Sequence, residues 1–238
     1  MKVNRALIIR RLKVPQSLEY AEACAKTCEQ NNVSYEYIDG IEFMSSEEGF
    51  KAVGVWQHPN NIQKKVSQGN NNCHASHIKC WRRIVELNEA CLILEHDCLV
   101  KGDVCNIDII EDAINVFGHR ITGSNYYTPI SPIVEMVKIP DSIGGHAYSI
   151  TPKTAQWFIE DAETNGVNIN VDELINKRCG LPLYITDPTQ VVCHPRVSTR
   201  EWIEEDNKRE MHGSTTTFGS AYTDRYKRGL KFTSGSPR

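Results

Sequence analysis

Two acidic side chains, Glu95 and Asp97, stand one residue apart at the end of an uninterrupted apolar stretch, residues 90–94. A short apolar run of this kind predicts a central strand that is buried on both faces. In open α/β sheets, ligands bind outside the carboxyl ends of the strands. The sequence therefore predicts two carboxylates at a ligand-binding edge of a sheet.

Two neighbouring carboxylates repel each other unless a cation or a proton relieves the repulsion. Mg²⁺ and Mn²⁺ prefer oxygen ligands, and they commonly bind one or two protein carboxylates together with substrate phosphates. Such an ion neutralises a nucleoside diphosphate and makes it a better leaving group. A simpler interpretation stays open, because acids also end strands where the chain enters solvent.

A second group of chemically active side chains lies within residues 69–80. Ser76 and His77 could suggest a hydrolase, but neighbours on a helix do not face each other, and the chain has no Gly-x-Ser-x-Gly motif. We instead expect Ser76 to cap a helix over residues 76–88, and the backbone N–H groups of residues 69–77 to lie near phosphate. A zinc site is an alternative, although its Cys-x₆-Cys spacing is unusual, for the set Cys73, His74, His77 and Cys80.

An alternation of strands and helices carries these residues. A strand–helix–strand opening that ends at Asp39-Gly40 is typical of a βαβ unit with a parallel sheet. Residues 57–73 are polar and are expected to form a loop or a weak helix. The predicted strands are residues 6–9, 33–38, 90–94, 144–150, 183–186 and 190–193, and the predicted helices are residues 18–29, 76–88, 108–117, 154–163 and 172–177.

The predicted elements end before the last part of the chain. Residues 1–195 are therefore expected to form one α/β domain. Beyond them the chain turns polar, and residues 220–238 hold five Lys and Arg against one Asp. This composition predicts a polar, basic C-terminal extension over residues 196–238.

The composition of the 238 residues is that of a globular protein, with 40% hydrophobic residues and a net charge of −3. A near-neutral chain is not expected to bind nucleic acid or anionic membranes in general. No stretch approaches the roughly 20 apolar residues of a transmembrane helix, and the opening apolar run is too short for a signal peptide. A cytoplasmic location is expected, with the nine cysteines mostly packed as reduced thiols.

Several short motifs, in order, resemble glycosyltransferase family 25. Residues 69–77 (Gly-Asn-Asn-Asn-Cys-His-Ala-Ser-His) are similar to the family's Gly-x-x-Gly-Cys-x-x-Ser-His stretch, and Trp81 supplies its nearby aromatic residue. Residues 95–97 (Glu-His-Asp) are similar to its Glu-Asp-Asp, with His96 in place of the middle acid. Residues 144–150 (Gly-Gly-His-Ala-Tyr-Ser-Ile) look like its Gly-x-x-Ala-Tyr segment.

The resemblance implies a GT-A fold, which is an α/β, Rossmann-like, mostly parallel central sheet flanked by helices. It implies transfer of a hexose, galactose or glucose, from a UDP-sugar donor to a glycan, a lipid-linked acceptor or another hydroxyl acceptor. It also implies Mn²⁺ or Mg²⁺ as the cofactor.

Site residues follow from the same resemblance. It implies that Glu95 faces the ribose and the metal, that Asp97 binds the metal, and that His194 is a third metal ligand. It places Asp39 near the nucleoside and makes Asp172 the general base or an acceptor-binding acid. Three alternatives stay open: Asp39 could form a turn with the glycine after it, Asp172 could cap the helix that follows, and His194 could be structural before its proline.

Two other functions stay open at this point. His96 in the acidic motif motivates a catalytically degenerate protein that binds a nucleotide or a glycan without turnover. A nucleotidyltransferase would use the same sheet edge and the same cation chemistry.

Overall fold

The computed structural model describes residues 1–63, 66–118, 135–139, 145–175, 179–187 and 189–193. Its strands are β1 (Arg5–Arg10), β2 (Ser34–Asp39), β3 (Cys91–Glu95), β4 (Cys98–Val100), β5 (Ile114–Val116), β6 (Glu135–Ile139), β7 (Ala147–Ile150), β8 (Leu183–Asp187) and β9 (Val191–Cys193). Its helices are α1 (Pro15–Gln30), α2 (Ser46–Ala52), α3 (Pro59–Gln63), α4 (Gln68–Leu87), α5 (Pro152–Asn165) and α6 (Val171–Glu173).

Seven strands form the main sheet, in the order β2-β1-β3-β7-β5-β8-β6, and β4 pairs with β9 in a separate ribbon. In the main sheet β1, β2, β3, β5 and β8 run in one direction, whereas β6 and β7 run in the other. The predicted α/β class and the predominantly parallel sheet are confirmed. The predicted βαβ opening is also confirmed, because α1 connects the parallel strands β1 and β2.

Two apolar layers cover the two faces of this sheet. Side chains alternate along a strand, so Leu7 of β1 and Ile93 of β3 enter the core on one face while Ile8 and Leu94 enter the core on the other. Helices α4 and α5 cover the first face, and α1 covers the second. Burial on both faces explains why residues 90–94 are continuously apolar.

Helix α4 begins earlier than the sequence indicated. Its N-cap is Ser67, whose hydroxyl accepts a hydrogen bond from the backbone N–H of Asn70. Polar residues of this region are buried because they bond one another: the Asn71 amide exchanges hydrogen bonds with that of Asn61 at 3.0 and 3.1 Å. The prediction that Ser76 caps the helix is therefore wrong, because Ser76 lies more than two turns inside it.

The helix predicted over residues 108–117 is wrong, because this segment contains strand β5. The backbone at Asp112 has a positive φ, which is incompatible with a right-handed helix through this residue. The buried Asn115 side chain accepts a hydrogen bond from the N–H of Ile110 at 2.8 Å and donates one to its C=O at 2.9 Å. These side-chain bonds satisfy the turn locally and leave the backbone of residues 114–116 to pair in the sheet.

The predicted C-terminal extension, residues 196–238, lies outside the described residues, so the predicted division at residue 195 stays a prediction. Within the described ranges, none of the helices is long and apolar enough to cross a membrane.

Candidate functional site

The two predicted acids sit where β3 leaves the sheet. Glu95 is the last residue of β3, and Asp97 belongs to the short turn that leads into β4. The backbone N–H of Glu95 donates to the carbonyl of His146 at 2.8 Å, just before β7 begins. This bond to the residue before β7 holds the backbone at the end of β3, from which the Glu95 carboxylate projects, and Asp97 follows two residues later.

Glu95 faces helix α4. Its Oε1 lies 3.6 Å from Nε2 of His77 and 3.6 Å from the thiol of Cys73. Burial acts to raise the pKa of Glu95, but the adjacent His77, together with the nearby imidazoles of His146 and His96, outweighs burial and holds the pKa well below its usual range. The carboxylate is therefore ionised at neutral pH, although its surroundings are mostly protein.

Asp97 faces the ribbon formed by β4 and β9. Its Oδ1 is buried without a hydrogen-bond partner in the described part of the chain, and one of its carboxylate oxygens lies within 4.8 Å of the sulfur atoms of Cys98 and Cys193. Burial, followed by the nearby Cys193 and Glu95, raises the pKa of Asp97 from 3.8 to about 7. A cation bound to a buried carboxylate stabilises its ionised form and lowers the pKa that burial has raised.

Cys98 and Cys193 are directly opposite each other across the antiparallel ribbon. The thiol of Cys98 donates to the carbonyl of His146 at 3.1 Å. The adjacent Cys98, and then the His146 imidazole, outweigh burial and lower the pKa of Cys193. Burial acts to lower the pKa of His146, but Cys193, Glu95 and Asp97 outweigh it and raise that pKa. The two pKa shifts favour the charged forms of both groups, a thiolate at Cys193 and an imidazolium at His146.

Metal-binding atoms in the described ranges form two separate groups, one of Cys73, His77 and Glu95, the other of Asp97, Cys98 and Cys193. The buried, unpartnered oxygen of Asp97 suits Mn²⁺ or Mg²⁺, which prefer oxygen, and the two thiols are not ligands that either ion needs. Asp97 therefore fits the cation that the sequence implied, whereas Glu95 belongs to the other group. His194, the third predicted ligand, lies outside the described residues.

Asp39 stands at the same edge of the sheet. It is level with Arg10 in the strand pairing, as Glu95 is level with Ile9, and β1 separates the two acids. With strands about 4.8 Å apart, this register places the Cα atoms of Asp39 and Glu95 roughly 10 Å from each other. The Asp39 carboxylate accepts a hydrogen bond from Nε of Arg10 at 2.8 Å, and its carbonyl accepts one from Lys79.

Ser76 is buried and holds a loop. Its Oγ accepts a hydrogen bond from the N–H of Ile41 at 2.8 Å and donates to the carbonyl of Asn72 at 2.7 Å. The predicted phosphate contact through backbone N–H groups is also wrong for residues 73–77, because they lie inside α4, where those groups bond within the helix. Ser76 instead anchors the segment after β2 to α4.

The Asp172 carboxylate accepts a hydrogen bond from the N–H of Gly145 at 2.7 Å. The alternative in which Asp172 caps α6 is wrong, because Asn170 is the N-cap and its side chain accepts from the N–H of Glu173 at 2.8 Å. Since Gly145 directly precedes His146, whose carbonyl binds Glu95, Asp172 is tied to the chain segment that fixes Glu95.

Sequence reasoning gave no role to His146, Tyr148 or Cys193, although all three lie in segments that it noted. The structure brings His146 beside Glu95 and Asp97, and Tyr148 beside His77. The missing information was the antiparallel pairing of β7 with β3 and of β9 with β4, which no local sequence pattern contains.

Comparison with known proteins gives one family. The model of glycosyltransferase family 25, described as an LPS biosynthesis protein family, matches residues 16–175. No curated protein matches the chain. A crystal structure of a glycosyltransferase involved in the glycosylation of the major capsid of PBCV-1 is similar, with 12% identity and a TM-score of 0.41 over 83% of this chain and 96% of that one. Because the family model spans about two thirds of the sequence and includes the strand that ends in Glu95 and Asp97, the chain belongs to glycosyltransferase family 25 and is a glycosyltransferase.

Proposed function

We propose that the protein transfers a hexose, galactose or glucose, from a UDP-sugar to a hydroxyl group of a glycan or lipid-linked acceptor, with a divalent cation at Asp97. The observation that carries the proposal is the Asp97 carboxylate oxygen, which is buried at the carboxyl edge of the sheet without a partner in the described residues. Family membership supports glycosyl transfer, and the family's description in LPS biosynthesis favours a lipid-linked glycan as acceptor.

When bound, Mn²⁺ or Mg²⁺ would neutralise the diphosphate and make UDP a better leaving group. Asp97 would hold the ion. We propose His194 as a further ligand because it directly follows Cys193, which is paired with Cys98, the residue after Asp97. Ionised Glu95 would accept a hydrogen bond from a hydroxyl of the donor ribose. Asp39, at the same edge, would lie on the nucleoside side of the site.

Asp172 is the proposed general base. Inverting sugar transfer needs a carboxylate that takes the proton of the acceptor hydroxyl as its oxygen attacks the anomeric carbon. The Gly145 N–H fixes one oxygen of the Asp172 carboxylate, and the same segment positions Glu95 through His146. Two consecutive residues, Gly145 and His146, therefore hold Asp172, the acid proposed to act on the acceptor, and Glu95, the acid proposed to bind the donor.

The experiment is a UDP-release assay with UDP-galactose and UDP-glucose, with added Mn²⁺ and then with excess chelator. We expect release to require the cation and to fall at least about 100-fold in Asp97→Asn. The matched control is Asp112→Asn, because Asp112 is an exposed acid paired with Lys153, and Asn tolerates its positive φ. Full activity in Asp97→Asn would contradict the assignment of the cation to Asp97.

Binding without turnover is the second candidate function. It is favoured by His96, which is buried in the acidic motif, and by the separation of Glu95 and Asp97 into two donor groups. Calorimetry that detects UDP binding, together with no UDP release from either donor over long incubation with varied acceptors, would favour this candidate over transfer.

A further inference from the structure

We propose that His77 and Tyr148 are positioning residues for the donor: with Trp81 they form a buried hydrogen-bond chain that holds Nε2 of His77 beside Oε1 of the Glu95 carboxylate, so that Oε2 is presented to a hydroxyl of the donor nucleotide. The inference rests on the proposed function in one respect, since it takes Glu95 as an acid that binds a UDP-sugar.

The chain runs through three elements of the fold. The indole Nε1 of Trp81 lies 2.8 Å from the hydroxyl of Tyr148, and this hydroxyl lies 2.9 Å from Nδ1 of His77. The rings of His77 and Tyr148 stack with their planes 7° apart. Nε2 of His77 is buried without a hydrogen-bond partner among the described residues, and it lies 3.6 Å from Oε1 of Glu95, a contact longer than a hydrogen bond. Trp81, Tyr148 and His77 are fully buried.

The donors and acceptors in this chain fix the position of each hydrogen. An indole N–H only donates, so the Tyr148 oxygen accepts from Trp81. The Tyr148 hydroxyl then has one hydrogen to donate, and among the described residues Nδ1 of His77 is its acceptor. A neutral imidazole that accepts at Nδ1 carries its hydrogen on Nε2. That hydrogen faces Glu95.

The opposite tautomer is less satisfactory. If Nδ1 of His77 carried the hydrogen, the Tyr148 hydroxyl would accept from both Trp81 and His77, and its own hydrogen would have no acceptor in the described part of the chain. A buried hydroxyl whose hydrogen has no acceptor is destabilising, because it loses its bond to water and gains none in the protein. The same argument disfavours a metal ion on Nε2 of His77, since a metal there would also require the hydrogen on Nδ1.

The result of this arrangement is an asymmetric carboxylate. Cys73 and His77 both approach Oε1 of Glu95 from the protein side. Within the described ranges no hydrogen bond is made to Oε2, and about 29% of the Glu95 side chain is exposed, so Oε2 can accept from a ligand. Losing the chain would free the carboxylate to rotate, so a donor hydroxyl would meet a mobile acceptor.

The first test is UDP affinity by calorimetry in Tyr148→Phe, which removes the hydroxyl and keeps the stacked ring. We expect about tenfold weaker binding, because without the Tyr148 hydroxyl the His77 ring loses the hydrogen bond that holds its Nε2 beside Glu95. Tyr35→Phe is the matched control, because its hydroxyl binds Glu29 at the protein surface, and it should bind as the wild type does.

Substitutions of His77 separate positioning from packing. His77→Leu should weaken UDP binding by about tenfold or more, whereas His77→Gln, whose amide nitrogen can take the place of Nε2, should bind within about threefold of the wild type. Wild-type affinity in both Tyr148→Phe and His77→Leu, with binding still lost in Glu95→Gln, would overturn the inference and leave the proposed function standing. Absence of UDP binding by the wild type would overturn both.

The second test uses the unaltered protein, so it does not depend on a variant that folds. Long-range ¹H–¹⁵N spectra report which imidazole nitrogen carries hydrogen, and the signals missing from His77→Gln identify His77. We expect hydrogen on Nε2 and a bare Nδ1. Hydrogen on Nδ1, or a change in these signals on adding Zn²⁺ alone, would overturn the inference in favour of a site at Cys73, His77 and Glu95.

Discussion

Cation binding at Asp97 should depend steeply on pH, because protons and the cation compete for the same carboxylate. Burial, Cys193 and Glu95 raise the Asp97 pKa from 3.8 to about 7. Only the ionised form binds a cation. With that pKa, about 3% of the Asp97 side chains are ionised at about pH 5.5 and about three quarters at about pH 7.5. The affinity should therefore rise about 25-fold over this interval, whereas a carboxyl with an unperturbed pKa would give almost no change.

The measurement is Mn²⁺ binding without nucleotide, followed by the electron paramagnetic resonance signal of the free ion at about pH 5.5 and about pH 7.5. Omitting UDP matters because its terminal phosphate also titrates in this range. His194→Gln is the appropriate background, since an imidazole ligand would add its own proton competition. In that background the change of about 25-fold should persist, and adding Asp97→Asn should abolish it. Equal affinities at the two pH values in His194→Gln would refute the buried, unpartnered environment described for Asp97.

Two further predictions concern the scaffold. Gly166→Ala should lower the free energy of unfolding by about 3 kcal/mol, because φ is +71° there and a Cβ would lie 2.8 Å from the Trp56 indole. Gly180→Ala is the matched control, since φ is +73° there and a Cβ would have no atom within 4 Å. In the same denaturant titration it should cost only about 1 kcal/mol. Equal losses would show that the indole is not packed on Gly166. Asn71→Ala should cost about 1–3 kcal/mol because it leaves the buried Asn61 amide without that partner; a loss below about 0.5 kcal/mol would contradict the buried amide pair.

Local sequence patterns were sufficient for the edge of the sheet that carries the acids. The run before Glu95 is apolar because β3 is covered on both faces, and the turn at Gly40 marks the end of β2. Both signals arise within a few residues of the chain. The prediction that Glu95 and Asp97 leave the sheet at one edge therefore needed no tertiary information.

Elsewhere, predictions from local sequence patterns were wrong where polar side chains are buried. Residues 57–73 look like a loop because they are polar, but Asn71 and Asn72 are buried and bonded, so α4 starts at Gln68. Asn115 likewise hides a strand in a segment with helical spacing. In each case a polar side chain occupies a buried position and is stabilised there by hydrogen bonds. The spacing of apolar residues, which predicts helices and strands, therefore does not mark that position as buried.

The surroundings of the acids could not be predicted from local patterns either. His146 reaches Glu95 because β7 pairs antiparallel with β3, and Cys193 reaches Asp97 because β9 pairs with β4. These pairings join segments about 50 and about 95 residues apart. His146 adds to the effect of His77 in lowering the pKa of Glu95, and Cys193 adds to the effect of burial in raising the pKa of Asp97.

The most direct test of sugar transfer from a cation-bound nucleotide is a crystal structure of the protein with UDP and Mn²⁺, with data collected at the manganese absorption edge. We expect an anomalous peak in contact with the Asp97 carboxylate, the UDP diphosphate on the same ion, and a ribose hydroxyl hydrogen-bonded to Glu95. UDP or manganese bound away from this edge, with both carboxylates left in solvent, would contradict the proposed donor site.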